Sequence, residues 1–426
     1  MAFTIVEKIL SRHAGQTVSA GQTISASVDV VMATDGSGPL TVDFFQKMQG
    51  DTSFDPARVL MIPDHYVPCP NDKVAGLHSM MQDFCDKGFG TMFELGEGIC
   101  HQLLPEKGYV RPGRLIIGGD SHSTTYGALN ALGAGVGSSD LAAAIISGGL
   151  WLRVPSSIRV TLKGRLADGV TAKDAALDLV GRIGASGAAY KAVEFAGDIA
   201  FLSISERMTL CNLMAETGAK FAVMPGDDAT LAFLTEKGIA CTEDDLVTAD
   251  ADAVYEQEVL LDLSTLEPRI AAPHTVDNVK PLAELAGTRI HMGVLGTCTN
   301  GRLEDLEEAL KVMGERPLFP GFQLLVIPAS RSIYAEASRR GILAALAEKG
   351  AQILPPGCGP CCGSSPGIPR NGWNVLSTAN RNFIGRMGNV TSGIYLGSPA
   401  SVAAAAVTGR ICDARSLSDQ GASHAI

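Results

Sequence analysis

The stretch RIHMGVLGTCTNGRLEDLEEALKVM, residues 289–313, decides the reading of the fold. Its apolar run from Ile290 to Leu295 stops at Gly296; after a polar turn, Leu303, Leu306, Leu310 and Met313 recur on one helical face. A strand, a glycine turn and a helix in that order make a βα unit. The theme returns in RLIIGGDSHSTTYGALNALG (114–133), whose β run Leu115–Ile117 breaks at Gly118 and Gly119, and again in FQLLVIPAS (322–330) and AQILPPGCGPCCG (351–363). Alternating β and α elements imply mostly parallel sheets, in which ligands sit beyond the carboxyl ends of the strands. The chemically loaded residues of this chain fall at those ends.

At 426 residues the chain is too long for one ordinary core, which predicts two or three domains. It is 46% hydrophobic and only 19% charged, with 48 glycines, a composition that suits a compact enzyme with many tight turns. A net charge of −11 argues against nucleic acid as a partner, because phosphates call for a basic surface. No basic-then-apolar leader opens the sequence and no run of about 18 apolar residues occurs, so no membrane partner and a cytoplasmic location are expected. In that reducing compartment the ten cysteines are expected as thiols or metal ligands. Boundaries fall near Pro155, after GLWLRV, and in EPRIAAPHTVDNVKP (267–281), whose prolines and polar residues read as a linker. The expected domains are therefore 1–155, 156–275 and 276–426.

Cys358 and Cys361 form a C-x-x-C pair in a loop after a strand, with Gly359 allowing the tight turn. Cys298, in GTCTNGR, occupies the same kind of loop. Two strand ends of one parallel sheet can bring three thiolates together. Three without a fourth suit an iron–sulfur cluster with one iron left open. Zinc is the rival for the C-x-x-C pair, although no second pair and no H-x-x-x-H completes a finger-like set. Cys362 would point elsewhere, and Cys69, Cys85, Cys100, Cys211, Cys241 and Cys412 read as ordinary thiols.

Acid–base candidates lie in IPDHYVP, GICHQLLPE and GGDSHST, which place His65, His101 and His122 in loops near the carboxylates of Asp64 and Asp120. A carboxylate bonded to one imidazole nitrogen fixes the tautomer and raises the basicity of the other. Ser203 and Glu206 make an S-x-x-E capping box that opens a helix, and Asn212 and Glu216, four apart, share one face of it. A solvated face is the bland reading, which the surrounding Leu210, Cys211, Leu213, Met214 and Ala215 argue against. Arg381 and Arg386, five apart around Gly385, offer planar forks for substrate carboxylates.

GTCTNGRLEDL, GCGPCCG and NRNFIGRMG, in that order, together with the upstream GGDSHSTTYGALNALGAGVG, resemble the aconitase superfamily. The likeness runs from the N-terminus to about Gly409. In length and style it points to the branch holding the large subunits of 3-isopropylmalate dehydratase, homoaconitase and 2,3-dimethylmalate dehydratase. The resemblance implies three α/β domains with mostly parallel sheets around a central [4Fe-4S] cluster. Cys298, Cys358 and Cys361 would ligate it, one iron would carry no cysteine, and Cys362 would fall at a non-ligand position. It further implies Asp64–His65 as a proton-delivery pair, Asp120 as partner to His101, His122 facing the substrate, and Glu216 near the departing hydroxyl. Arg381 and Arg386 would clamp a carboxylate, with Ser121 and Thr34 as further substrate contacts, and Asn212, Asn300 and Asn380 would hydrogen-bond around the cluster. Thr34 is a departure, since family members often carry Gln or His before the residue matching Asp35.

The resemblance also implies a fourth, swivelling domain that supplies a serine base and further arginines. This chain stops at Ile426, about where that domain would begin, so a separate small subunit is the expected partner. The expected function is the iron–sulfur subunit of a heteromeric hydro-lyase, interconverting 2- and 3-hydroxy acids of the 3-isopropylmalate kind through a cis-alkene. Dimethylmalate, homocitrate or methylcitrate chemistry on the same scaffold is the alternative. An electron carrier would need a fourth cluster ligand and has no use for the histidines and arginines. An iron-responsive RNA-binding role is disfavoured by the acidic charge.

Overall fold

The computed structural model describes residues 2–418, so the last eight residues of the expected third domain lie outside the described residues. Three mostly parallel sheets carry the chain. The first has five parallel strands in the spatial order Thr91–Met92, Val59–Ile62, Val30–Thr34, Leu115–Gly118, Leu132–Gly135. Its central strand, VVMAT, is buried at every position, as expected where helices cover both faces of a parallel sheet. The second has four parallel strands in the order Phe221–Val223, Ala192–Gly197, Ser157–Lys163, Gln257–Asp262. An antiparallel ribbon, Thr23–Ser27 with Gly149–Arg153, flanks them.

The third sheet has seven strands: Val279–Pro281, Arg269–Ala271, Gly393–Leu396, Asn374–Ser377, Met292–Leu295, Gln323–Val326 and Gln352–Ile353. The last five run parallel, and the first two form an antiparallel hairpin at the edge. That hairpin corrects the reading of residues 267–281 as a linker. Pro281 stands on the edge strand, where a missing N–H is tolerated, and Ala271 pairs with Leu396. Arg269–Ala271, ahead of residue 276, thus already belongs to this sheet. The opening βα unit is otherwise as the sequence predicts, with the strand at Met292–Leu295 and the helix at Leu303–Met313 burying Leu306, Ala309 and Met313.

One continuous core joins the three sheets, drawing Met32 and Leu60 from the first, Val160 and Phe195 from the second, and Val294 and Leu396 from the third. The tightest seam between the first two lies at Gly127. A Cβ there would stand 1.7 Å from the carbonyl oxygen of Ala222, so only glycine lets these backbones meet. Met224 N–H donates to the Gly127 carbonyl, and three residues on the buried Asn130 side chain donates to the carbonyls of Met224 and Val247. The 3₁₀ segment Ser121–Leu129, which carries His122, is thereby fastened to the second sheet. Among the described residues no helix is long and apolar enough to cross a membrane.

Candidate active site

Cys298 follows the strand Met292–Leu295, and Cys358 and Cys361 follow Gln352–Ile353, two strands away in the same sheet. All three thiols are buried, whereas Cys362 is partly exposed. The C-x-x-C pair rides on the 3₁₀ turn Gly359–Cys362. Gly359 has φ 56°, and an added Cβ would lie 2.4 Å from Ile327 Cδ1, so the turn requires glycine. Cys358 N–H donates to the Asp64 carbonyl at 2.7 Å and Ser365 Oγ donates to the His65 carbonyl, which lashes this loop to the Asp64–His65 loop of the first sheet. The side-chain amides of Asn212 and Asn380 donate to Cys298 Sγ at 3.4 and 3.2 Å, and Arg386 Nη2 points at Cys361 Sγ from 4.0 Å. Sulfur atoms used as acceptors from three directions are placed to carry negative charge. Despite the hydrogen bond from Cys361, burial and nearby negative groups push the free Cys358 thiol up to about 12. A soft cation that displaces these protons fits the donor set better than solvent does.

The histidines and carboxylates form one hydrogen-bonded chain against these thiols. His65 Nδ1 lies 2.6 Å from Asp64 Oδ1, and its Nε2 lies 3.5 Å from Asp120 Oδ2. Asp64 is fully buried, and its other oxygen accepts the Cys100 N–H at 2.8 Å. Asp120 also takes His101 Nε2 at 2.8 Å and the His122 N–H at 2.8 Å. Burial alone would raise Asp120, but bonds from His101, His122 and His65 hold it well below the usual carboxylate range. Burial alone would lower His65, but the Asp64 charge and the bonds to Asp120 and Asp64 hold it well above the usual imidazole range.

His122 Nε2 donates to Glu216 Oε1 at 2.7 Å, and Arg381 Nε donates to the same oxygen at 2.8 Å. Burial would raise Glu216, but His122 and Arg381 keep it ionised below its usual value. Arg381 Nη2 also meets Ser121 Oγ at 2.8 Å. The capping box at Ser203 and Glu206 starts the helix as the sequence predicts, but that helix closes at Leu213, and Glu216 sits on the following 3₁₀ turn, Met214–Thr217. The shared helix face expected for Asn212 and Glu216 is therefore replaced by a tightened last turn. Asn212 aims at Cys298 while Glu216 aims at His122.

Thr34 stands apart from this network. Its buried hydroxyl accepts the Gly36 N–H and lies 3.4 Å from Ser37 Oγ, inside its own turn. Asn300 braces the Cys298 loop by donating to Asp305 Oδ1 at 2.8 Å. Sequence reasoning took Asp35 only for a loop-turning residue and missed that it accepts the backbone N–H groups of His65 and Tyr66 and bonds His78 at 3.1 Å. It also passed over Lys173, a fully buried lysine whose only clue was its place beside an apolar helical run.

The profile of the Aconitase family (aconitate hydratase) matches residues 7–409. The chain belongs to the aconitase family. Within that family it is 44% identical over 417 residues to "3-isopropylmalate dehydratase large subunit 1" of Methanopyrus kandleri, covering 97% of this chain and 99% of the relative. Its identity to the protein of the same name from Thermotoga maritima is 44% over 420 residues, covering 97% and 99%. A "Probable methanogen homoaconitase large subunit" of Methanosarcina mazei is 44% identical over 394 residues, covering 92% and 100%. The crystal structure of Thermococcus kodakaraensis aconitase X in its holo-form shares the fold, with a TM-score of 0.51 at 12% identity over 88% of this chain and 89% of that one.

Proposed function

We propose that this aconitase-family hydro-lyase is the catalytic iron–sulfur large subunit of a heteromeric dehydratase. It removes and re-adds water on a 2-hydroxy di- or tricarboxylate of the 3-isopropylmalate type, passing through a cis-alkene. The relatives named as 3-isopropylmalate dehydratase large subunits support the reaction and imply a small-subunit partner. The observation that carries the reading is the convergence of three buried thiols with the His65–Asp120–His122–Glu216–Arg381 chain.

Cys298, Cys358 and Cys361 would hold the [4Fe-4S] cluster, which when bound supplies a Lewis-acid corner, free of cysteine, for the substrate hydroxyl. The chain's own residues would do the remaining work. The Asp64-oriented imidazole of His65 holds a proton at Nε2 that can pass to the departing oxygen. Asp120 fixes His101 Nε2 and the backbone of His122, so the ring positions are set before substrate arrives. Glu216 turns His122 and Arg381 toward one another, leaving Nη1 of the arginine, whose Nη2 meets Ser121, for a carboxylate, with Arg386 as its second clamp. The base that takes the C–H proton would come from the small subunit.

His65, Cys358 and Cys361 also place one ligand atom each within 4.8 Å of one another, which favours a second reading, a single zinc ion. Anaerobic reconstitution with iron and sulfide, followed by metal and sulfide analysis and assay with the small subunit on a panel of hydroxy diacids, separates the two. Near four irons and four sulfides per chain with reversible dehydration supports the proposal. One zinc and no sulfide overturns it.

A further inference from the structure

Lys173 is a lysine where simple physics disfavours one. It is completely buried, and it lies in the first turn of the helix Ala172–Ile183, the end whose dipole repels a cation. Its Nζ donates at 2.7 Å to two peptide carbonyls, those of Thr378 and Ala379. These are the two residues immediately before Asn380, which reaches Cys298 Sγ, and Arg381, which reaches Glu216. Thr378 Oγ1 in turn accepts the Gly296 N–H, two residues before Cys298. The ammonium therefore stands where the two loops that meet at this sulfur are tied together.

We propose that Lys173 is a positioning residue. Its amine clamps the Thr378 and Ala379 carbonyls so that Asn380 and Arg381 meet Cys298 and Glu216, and once the cluster is bound it carries a positive charge that faces the negative field of the Cys298 corner. Two observations argue for charge as well as shape. The hydrogen bonds run only to acceptors, which suits an ammonium, a group that donates and never accepts. Although burial pulls the amine down to about 7, the groups that pull it back up are headed by Cys298, followed by Asp305, Asp174 and Glu216. A sulfur-ligated cluster at Cys298 would add to that negative field. Arg302 plays a parallel part on the other loop, donating to the carbonyls of Thr299 at 2.8 Å and Cys298 at 3.2 Å.

Truncating the side chain would open its place to a neighbouring cavity. Lys173 lines a cavity of about 470 Å³ together with Thr209, Asn300 and Asp305, roomy enough to admit a small amine. The charge half of the proposal rests on the iron–sulfur reading; the clamp half does not. In cluster-free protein, Lys173→Ala should raise amide hydrogen exchange over residues 378–382 at least tenfold, leaving the strand Met292–Leu295 unchanged. In reconstituted holoenzyme with its small subunit, the same variant should move the cluster's midpoint potential, read by electron paramagnetic resonance, to a more negative value. KM should rise at least tenfold with a smaller fall in kcat. n-Propylamine, which replaces the atoms alanine lacks, should restore potential and KM, and n-propanol, of the same size without charge, should not.

Unchanged exchange overturns the clamp. Wild-type potential and KM, or equal rescue by n-propanol, overturn the charge. If Lys173→Ala does not fold, Lys173→Met, of similar length and without charge, takes the exchange, potential and KM readings. If wild-type protein takes up no cluster, the proposed function fails, while the exchange experiment still judges the clamp.

Discussion

Replacing Glu216 with glutamine keeps the size of the side chain and an oxygen where Oε1 stands, and removes only its charge. That oxygen accepts two bonds, from His122 Nε2 at 2.7 Å and Arg381 Nε at 2.8 Å, in a side chain only 9% exposed. A hydrogen bond to a charged group contributes about 1.5–3 kcal/mol against about 1 for a neutral one. Losing the charge on an acceptor shared by two donors therefore forfeits about 2–3 kcal/mol of orientation and field, or about 30- to 150-fold in rate. The assay is kcat/KM for dehydration by the reconstituted enzyme with its small subunit, followed by absorbance of the alkene product. Thermal midpoint and visible spectrum serve as controls, and both should stay close to wild type. Glu216→Ala, which leaves both donors without this partner, should be slower still. A glutamine variant within threefold of wild type, with its metal intact, would refute the placing of Glu216 between His122 and Arg381 as a working part of the site.

Cys298→Ser, Cys358→Ser and Cys361→Ser should each abolish the brown absorption of anaerobically reconstituted protein while Cys362→Ser retains it; bleaching by Cys362→Ser would reverse the ligand assignment. Gly127→Ala should cost more than about 3 kcal/mol, above the usual range for overpacking, because its Cβ would meet a backbone oxygen at 1.7 Å; denaturant unfolding and soluble yield measure this. Asp227→Asn should destabilise the protein by about 2–3 kcal/mol at pH 7, since the fully buried Arg207 fork bonds both Asp227 oxygens at 2.7 and 2.6 Å. Burial would raise Asp227, but Arg207 holds it below its ordinary value. Its contribution is thus present above the unfolded value of about 4 and fades as pH falls through that lowered value, so the denaturant midpoints of variant and wild type should converge as the solution is acidified below it.

The βα order was legible because it is local: an apolar run, a glycine stop and a 3.6-residue stripe lie within 25 residues, as in 289–313. Capping was legible for the same reason, and Ser203 with Glu206 starts its helix as read. The exact end of that helix was not, because whether a last turn tightens to 3₁₀ depends on what Asn212 and Glu216 find across the site. The hairpin at Arg269–Ala271 and Val279–Pro281 escaped notice because its bridge to Leu396 spans 125 residues and a proline-rich stretch carries no strand period. Adjacent pairs such as Asp64–His65 announce themselves in the sequence. Arg207 with Asp227, or Lys173 with the carbonyls before Asn380, do not, since those partnerships are set by sheets folding onto one another and leave no spacing to read.

The joint at Gly127 has a consequence for motion. His122 and Glu216 grow from opposite sides of a hinge pin with no slack, so rocking one sheet on the other would lever the imidazole off its carboxylate before opening any gap.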